Sequence, residues 1–399
     1  MSKPLSELAD VYYGKSPNEV ISDESVIPII GTGGVYGRAS RAMYQGPAVV
    51  VPRKGSLGNP QFIGEPFWPA DTTYAVLPKP KVDAKWLYYS LAAFDLTKLN
   101  EATGVPSINR DWLYRIKLGS DEFDGQCRIA KIISTVDAAI EQTEALIAKY
   151  QQIKAGLMQD LFTRGVTPDG HLRPTSAQAP HLYKESPLGW IPKEWDCLAT
   201  EDKVRVIDAQ PDHRTPPEDS EGYPYIGIGD ISPAGEVLFG QARRVLSTAF
   251  TKQLNSFEVE PGAFIFGKIG TLGSPTRIPH ERFFAISANV VLLTSKVSSD
   301  ANFAFWIYHS QWIERQISDA TNTTSQPALG IQKIRKFMLP WPSTSNEREV
   351  ITSRLENMLE VHQSLEQEKH KMILLKQGLM QDLLTGRVRV KVGEAEEKI

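Results

Sequence analysis

The six residues Gly156-Leu157-Met158-Gln159-Asp160-Leu161 recur as Gly378-Leu379-Met380-Gln381-Asp382-Leu383, 222 positions later in a chain of 399. A match at that distance means that one plan is built twice. Each copy closes a long, charged stretch with helical periodicity. Each such stretch follows a segment rich in short strands, glycine and proline. The order is therefore globule, long helix, globule, long helix. Duplicated globules on paired rods suit two recognition events at a fixed separation, which is a geometry of binding before it is one of catalysis.

The helical stretches carry a heptad. In the first, Ile129, Ile133, Val136, Ile140, Ile147, Tyr150, Leu157 and Leu161 fall on one seam, with Thr143 and Lys154 at its polar positions. The second copy gives Ile351, Leu355, Met358, His362, Leu365, Lys369, Met372, Lys376, Leu379 and Leu383. A 3.5-residue period sustained over about five heptads predicts a coiled coil rather than a globular helix. About 35 residues make a rod of roughly 50 Å. One rod alone would expose its apolar stripe, so helix 127–163 is expected to pair with helix 347–385 of the same chain. Lys154 and Lys376 share a repeat position, where the stem lies on the seam and the head reaches water. His362 reads as a tolerated seam residue.

The globules are mixed α/β, so the fold class is α+β. Their segments match in order. Val26-Ile27-Pro28-Ile29-Ile30-Gly31 corresponds to Gly222-Tyr223-Pro224-Tyr225-Ile226-Gly227. The run from Gly46 to Pro60, with Arg53-Lys54-Gly55-Ser56-Leu57-Gly58 at its centre, corresponds to the run from Pro261 to Pro275, with Lys268-Ile269-Gly270-Thr271. Each is a β-branched or aromatic strand feeding a basic, glycine-punctuated turn. Thr103-Gly104-Val105-Pro106-Ser107-Ile108 corresponds to Thr324-Ser325-Gln326-Pro327-Ala328-Leu329. The expected layout is a globule at 1–122, a helix at 123–165, a Pro/Ser/Gly-rich extended linker at 166–194, a second globule at 195–342, a helix at 343–388 and a flexible tail at 389–399.

Other classes fit less well. No apolar run approaches the roughly 20 residues that cross a bilayer, and the N-terminal MSKPLSELAD has no apolar signal core. A cytoplasmic protein without membrane contact is expected. Cys127 and Cys197 lack a zinc or disulfide spacing. The net charge of −3 disfavours nucleic acid only weakly, because a local basic face decides. Gly14-Lys15-Ser16 lacks the upstream glycine of a phosphate-cradling loop, the position being held by Ala9, and Gly31-Thr32-Gly33-Gly34 lacks the dinucleotide spacing. There is no Asn/Asp-Pro-Pro-Tyr/Phe loop to hold a flipped adenine. No catalytic residue and no metal ligand is assigned.

The arrangement resembles the specificity subunit of type I restriction–modification systems. The residues that carry the resemblance are the two Gly-Leu-Met-Gln-Asp-Leu helix ends, the closing Leu384-Thr385-Gly386-Arg387-Val388, the entry Ser186-Pro187-Leu188-Gly189-Trp190-Ile191-Pro192, the Arg53–Gly58 turn and Gly104-Val105-Pro106-Ser107-Ile108. The resemblance spans essentially the whole chain. It implies two target-recognition domains, each reading half of a bipartite double-stranded DNA site, and an antiparallel helix pair that fixes the gap. It also implies docking to two methyltransferase subunits and two restriction/translocase subunits. S-adenosylmethionine, ATP and Mg²⁺ would sit on those partners, with no cofactor bound directly by this chain. Arg53, Lys54 and Lys268 are the expected phosphate contacts. Ser56, Asn59, Thr271 and Ser274 would add hydrogen bonds from the turns. Asn109, Arg110, Thr324, Ser325 and Gln326 suit base-edge readout. Arg38, Arg41, Arg243 and Arg244 are less localised phosphate candidates, and Trp68, Trp86, Trp306, Tyr88 and Tyr89 read as core. The competing classes are a coiled-coil adaptor with no DNA role and an enzyme that fuses recognition with methyl transfer.

Overall fold

The computed structural model describes residues 2–119, 122–211, 214–232, 235–321 and 328–390. Two compact units partition the chain: residues 1–145 with 367–399, and residues 146–366. A central helix, Phe123–Thr163, and a C-terminal helix, Ser345–Leu384, each contribute one segment to each unit.

The first unit is built on a four-stranded antiparallel sheet in the order Ala9–Tyr13, Thr73–Pro78, Ala48–Pro52, Gln61–Ile63. Ala48–Pro52 is an unbroken apolar run, buried at every residue, as an internal strand covered on both faces must be. A separate three-stranded sheet runs Gly34–Ala39, Ile27–Gly31, Trp68–Pro69. Ser2–Pro4 pairs with Lys117–Gly119 and ties the start of the domain to its end. The core gathers Val49, Val51, Tyr74, Trp86 and Leu87 with Ile129, Ile133, Leu383 and Leu384 from the helices.

The second unit repeats this plan. Its four-stranded sheet runs Val204–Ile207, Val290–Ser295, Phe264–Gly267, Gly273–Arg277, and its three-stranded sheet runs Arg244–Val245, Glu218–Ile226, Ala285–Ile286. Trp195–Ala199 pairs with Met338–Pro342 in the role of the terminal pair. Its core takes in Leu161, Phe162, Ile351 and Leu355 from the helices.

Within each unit the helix segments run antiparallel. In the first, Asp137 meets Lys376, while Ile129 and Ala130 share a core with Leu383 and Leu384. In the second, Gln151 lies 3.2 Å from His362, while Leu161 and Phe162 share a core with Ile351 and Leu355. The inward positions are the heptad seam. Thr143 is buried on it and satisfies its hydroxyl on the Ala139 carbonyl, one turn back, at 2.9 Å. The Gly-Leu-Met-Gln-Asp-Leu repeat now has a physical reason. Its last leucine and the residue after it, Leu161-Phe162 and Leu383-Leu384, insert into a domain core. Each such side chain contributes about 1.5–3 kcal/mol by burial. Both helices stop at a glycine in the left-handed region, Gly165 at φ 62° and Gly386 at φ 72°.

Three expectations are corrected. Lys376 does not send its head to water: the ammonium lies 2.5 Å from Asp137 and over the Tyr89 ring. Lys154 likewise lies over the Trp306 ring at 5.2 Å. Residues 166–194 do not run extended either. They hold a hairpin, Tyr183–Ser186 with Gly189–Pro192, and dock through buried Arg173, which forks onto Glu347 at 2.5 and 3.1 Å and reaches Glu194 at 2.6 Å. The Pro/Ser/Gly content serves turns here, and the anchoring charge lies on the C-terminal helix.

Candidate nucleic-acid interface

In the first domain the two loops singled out in the sequence are joined by backbone. The turn after strand Ala48–Pro52 and the second loop form a bridge at Lys54 and Ser107. Gly55 N donates to Pro106 O at 2.9 Å, and Ile108 N donates to Arg53 O at 2.9 Å. Gly55 adopts φ 85°, a conformation that favours glycine. Tyr74, buried on the neighbouring strand, donates its hydroxyl to Ile108 O at 2.9 Å, so the second loop is fixed to the sheet as well.

The second domain uses the same device. Ile269 bridges Ala328, and Leu329 N donates to Lys268 O at 2.8 Å. The anchor beneath the turn also corresponds: Arg53 N and Lys54 N both bond Thr72 O, and Lys268 N and Ile269 N both bond Asn289 O. The strand registers make the equivalence explicit. Tyr12 lies opposite Ala75, which lies opposite Val50, three residues before Arg53. Ile207 lies opposite Leu292, which lies opposite Ile265, three residues before Lys268. Arg53 therefore corresponds to Lys268, and Tyr13 to Asp208.

The side chains at these matched positions differ. In the first domain the guanidiniums of Arg53 and Arg110 each lie 5.2 Å from the centroid of the Tyr13 ring. Arg53 also donates to Asp71 O at 3.1 Å. Neither arginine has a carboxylate partner among the described residues, and Arg110 Nε is buried without a hydrogen-bond partner. Tyr13 itself is 45% exposed. In the second domain Lys268 is 2% exposed and its ammonium lies 3.0 Å from Asp208 Oδ1. Its charge is satisfied inside the domain, away from the surface where a phosphate contact would need it. The position matching Arg110 by the bridged loops is Ile331.

The remaining sequence candidates are dispersed. Lys54, Ser56 and Thr271 are exposed on the two turns, and Ser274, with φ 51°, is exposed near the start of the strand Gly273–Arg277. Asn59 borders a separate cleft with Lys85, Tyr88 and Asp137. Asn109 caps the helix Arg110–Arg115, its Oδ1 accepting from Asp111 N at 2.9 Å, which leaves the amide NH₂ for other contacts. Thr324, Ser325 and Gln326 lie outside the described residues. Arg38 donates to Val26 O, while Arg243 pairs with Glu218 at 3.5 Å. Trp86, Trp306 and Tyr89 are buried. Sequence reasoning missed Tyr13 and Asp208. A Tyr-Tyr pair ending a strand signals only one face in and one face out, and nothing local ties Asp208 to a lysine 60 residues away.

No helix among the described residues is long and apolar enough to cross a membrane, and no cluster of His, Cys, Asp or Glu among them is arranged to hold a metal ion. The family model of the type I restriction modification DNA specificity domain matches residues 1–152 and 207–374. The chain belongs to this family. It is 23% identical over 354 residues to the type I restriction enzyme MjaVIII specificity subunit of Methanocaldococcus jannaschii, covering 84% of this chain and 78% of that one. It is 25% identical over 323 residues to the putative MjaX specificity subunit of the same organism, covering 78% and 70%. The fold is that of the type I restriction–modification S subunit from M. genitalium, with a TM-score of 0.63 at 15% identity over 96% of each chain. A chain from a structure of a type I restriction–modification system, concerned with complex assembly and conformational transition, aligns with a TM-score of 0.53 at 13% identity over 96% of this chain and 97% of that one. This chain is thus a type I DNA specificity subunit, the non-catalytic component of its system. Nothing favours the adaptor reading.

Proposed function

We propose that each sheet-rich domain reads one half of a bipartite site in double-stranded DNA. The joined turn and second loop would form the reading edge, with Arg53, Lys54, Ser56, Asn109 and Arg110 in the first domain and Thr271, Ser274 and the 324–326 segment in the second. The helix pair would set the unread gap and dock two methyltransferase subunits, with two restriction/translocase subunits completing the assembly. S-adenosylmethionine, ATP and Mg²⁺ would then belong to those partners. The supporting observation is the backbone bridge found in both domains, Lys54–Ser107 and Ile269–Ala328, under unlike side chains. A fixed scaffold with exchanged surface groups is what reading two different half-sites requires.

Independent reading is tested by exchanging residues 1–122 for the corresponding domain of a relative and mapping DNA methylation in cells that also express the methyltransferase subunit. One half of the modified motif should change and the other should stay. An active hybrid in which both halves change would overturn the reading.

A further inference from the structure

We propose that Tyr13 is a positioning residue that holds Arg53 and Arg110 together as a two-guanidinium clamp for a DNA phosphate, and that among the described residues only the first domain has such a clamp. The inference rests on the DNA-reading function above and adds to it a residue and an asymmetry.

Two guanidiniums placed against one ring repel each other. Each gains from the ring's negative face, but neither is neutralised by a carboxylate among the described residues. In an enclosed site a cation pair is normally met by acidic side chains, because unpaired charge near low dielectric is costly; here both side chains are half-buried and stay open to solvent. Here the nearest acceptor of Arg53 is a backbone carbonyl, and Arg110 Nε has none. The pair can therefore take an anion that approaches from outside the chain. Arginine's planar fork matches phosphate oxygens in pairs. The surroundings are built for holding rather than for packing. Buried Tyr74 lies 5.1 Å from Tyr13, centroid to centroid, and fixes Ile108 through its hydroxyl, which sets the position of Arg110 two residues on. Arg53 is set by the backbone bridge of its own turn.

The second domain closes the same place. Asp208 stands where Tyr13 does and neutralises Lys268, and Ile331 stands where Arg110 does. An anion brought to this position would meet Asp208 and an aliphatic side chain. The two half-sites should therefore be held with unequal electrostatic weight.

The test uses the full chain assembled with its methyltransferase subunits and a duplex carrying the mapped motif. Affinity is measured across a series of salt concentrations for the wild type, Tyr13→Leu, Tyr13→Phe, Arg53→Gln and Asp208→Asn. Each lost phosphate contact lowers the slope of log affinity against log salt by about 0.9. Tyr13→Leu and Arg53→Gln should each flatten the slope by about one such step, with roughly tenfold weaker binding at low salt. Tyr13→Phe keeps the ring and should retain the wild-type slope. Asp208→Asn should not flatten it. A merely structural Tyr13 would lower thermal stability and leave the slope alone, and that result would overturn the inference. A wild-type complex with no sequence-selective binding would instead overturn the functional reading beneath it.

Discussion

Tyr89 donates its hydroxyl to Asp137 Oδ2 at 2.6 Å, joining the first globule to the central helix. Lys376, from the C-terminal helix, lies 2.5 Å from the other oxygen of that carboxylate and over the same tyrosine ring. The second unit has a counterpart built from the opposite helices. Trp306 donates its indole N–H to Glu356 on the C-terminal helix at 2.7 Å, and Lys154 of the central helix lies over that indole. Lys154 and Lys376 occupy one position of the repeat. Each domain is thus held by an aromatic donor, a carboxylate from one helix and a lysine from the other. Burial pulls the Lys154 ammonium below the ordinary lysine range, against the pull of Glu356.

Removing the carboxylate in the first unit should cost more than a surface substitution does. Asp137→Ala leaves the Tyr89 hydroxyl without its acceptor and Lys376 without its counter-ion. The expected loss is about 2–3 kcal/mol, measured by denaturant unfolding. A midpoint within error of the wild type would mean that this contact does not hold the globule to the helix.

The second anchor is more enclosed. Glu347 accepts from Arg173, from Trp195 Nε1 at 3.0 Å and from Val166 N at 2.9 Å, and both charged side chains are nearly buried. Breaking such a pair strands the other charge. Glu347→Ala should cost about 3–5 kcal/mol, and replacing Arg173 and Glu347 together by methionine should recover much of it. Thermal unfolding of the single and double variants decides this. Equal losses in both would show that packing around the pair, rather than the stranded charge, dominates.

His309 supplies a pH dependence. Its ring packs edge-on against Phe305 at 4.7 Å, and its Nε2 is buried without a hydrogen-bond partner among the described residues. Burial, then Lys154 and Arg277, holds its pKa down to about 3 against an ordinary 6.5. Between those values the unfolded chain binds the proton and the folded chain does not. Stability is therefore lost as pH falls below about 6.5, by up to about 1.4 kcal/mol per pH unit. His309→Leu should remove that slope. Unfolding curves for the two proteins that stay parallel from about pH 7 to pH 4.5 would refute the assignment.

The parts of this molecule that were legible in the sequence are those written in local periodicity. The seam from Ile129 to Leu161 and from Ile351 to Leu383 could be read because a rod repeats its own environment every seven residues. The matched turns could be read because each carries strand, cation and glycine in one short run. Pairings across long separations could not. Arg173 looks like a linker residue until Glu347, on a distant helix, comes to it. Lys268 looks like Arg53 until Asp208, 60 residues away, covers it. Asn109 carried a usable signal: Asn followed two residues later by Asp at the start of a helix is a capping pattern.

The most direct test of two half-sites held apart by paired helices is a matched insertion. Gln151 and His362 mark one level of the pair. Four residues inserted after Tyr150 and four after His362 lengthen both helices by about 6 Å. Four residues are close to one turn, so the seam is nearly kept. DNA rises roughly 3.4 Å per base pair. Methylation mapping of cells expressing the variant with its methyltransferase should show both half-sites unchanged and the gap between them wider by one to two base pairs. An active variant with an unchanged gap, or a modified motif with no gap at all, would contradict the account.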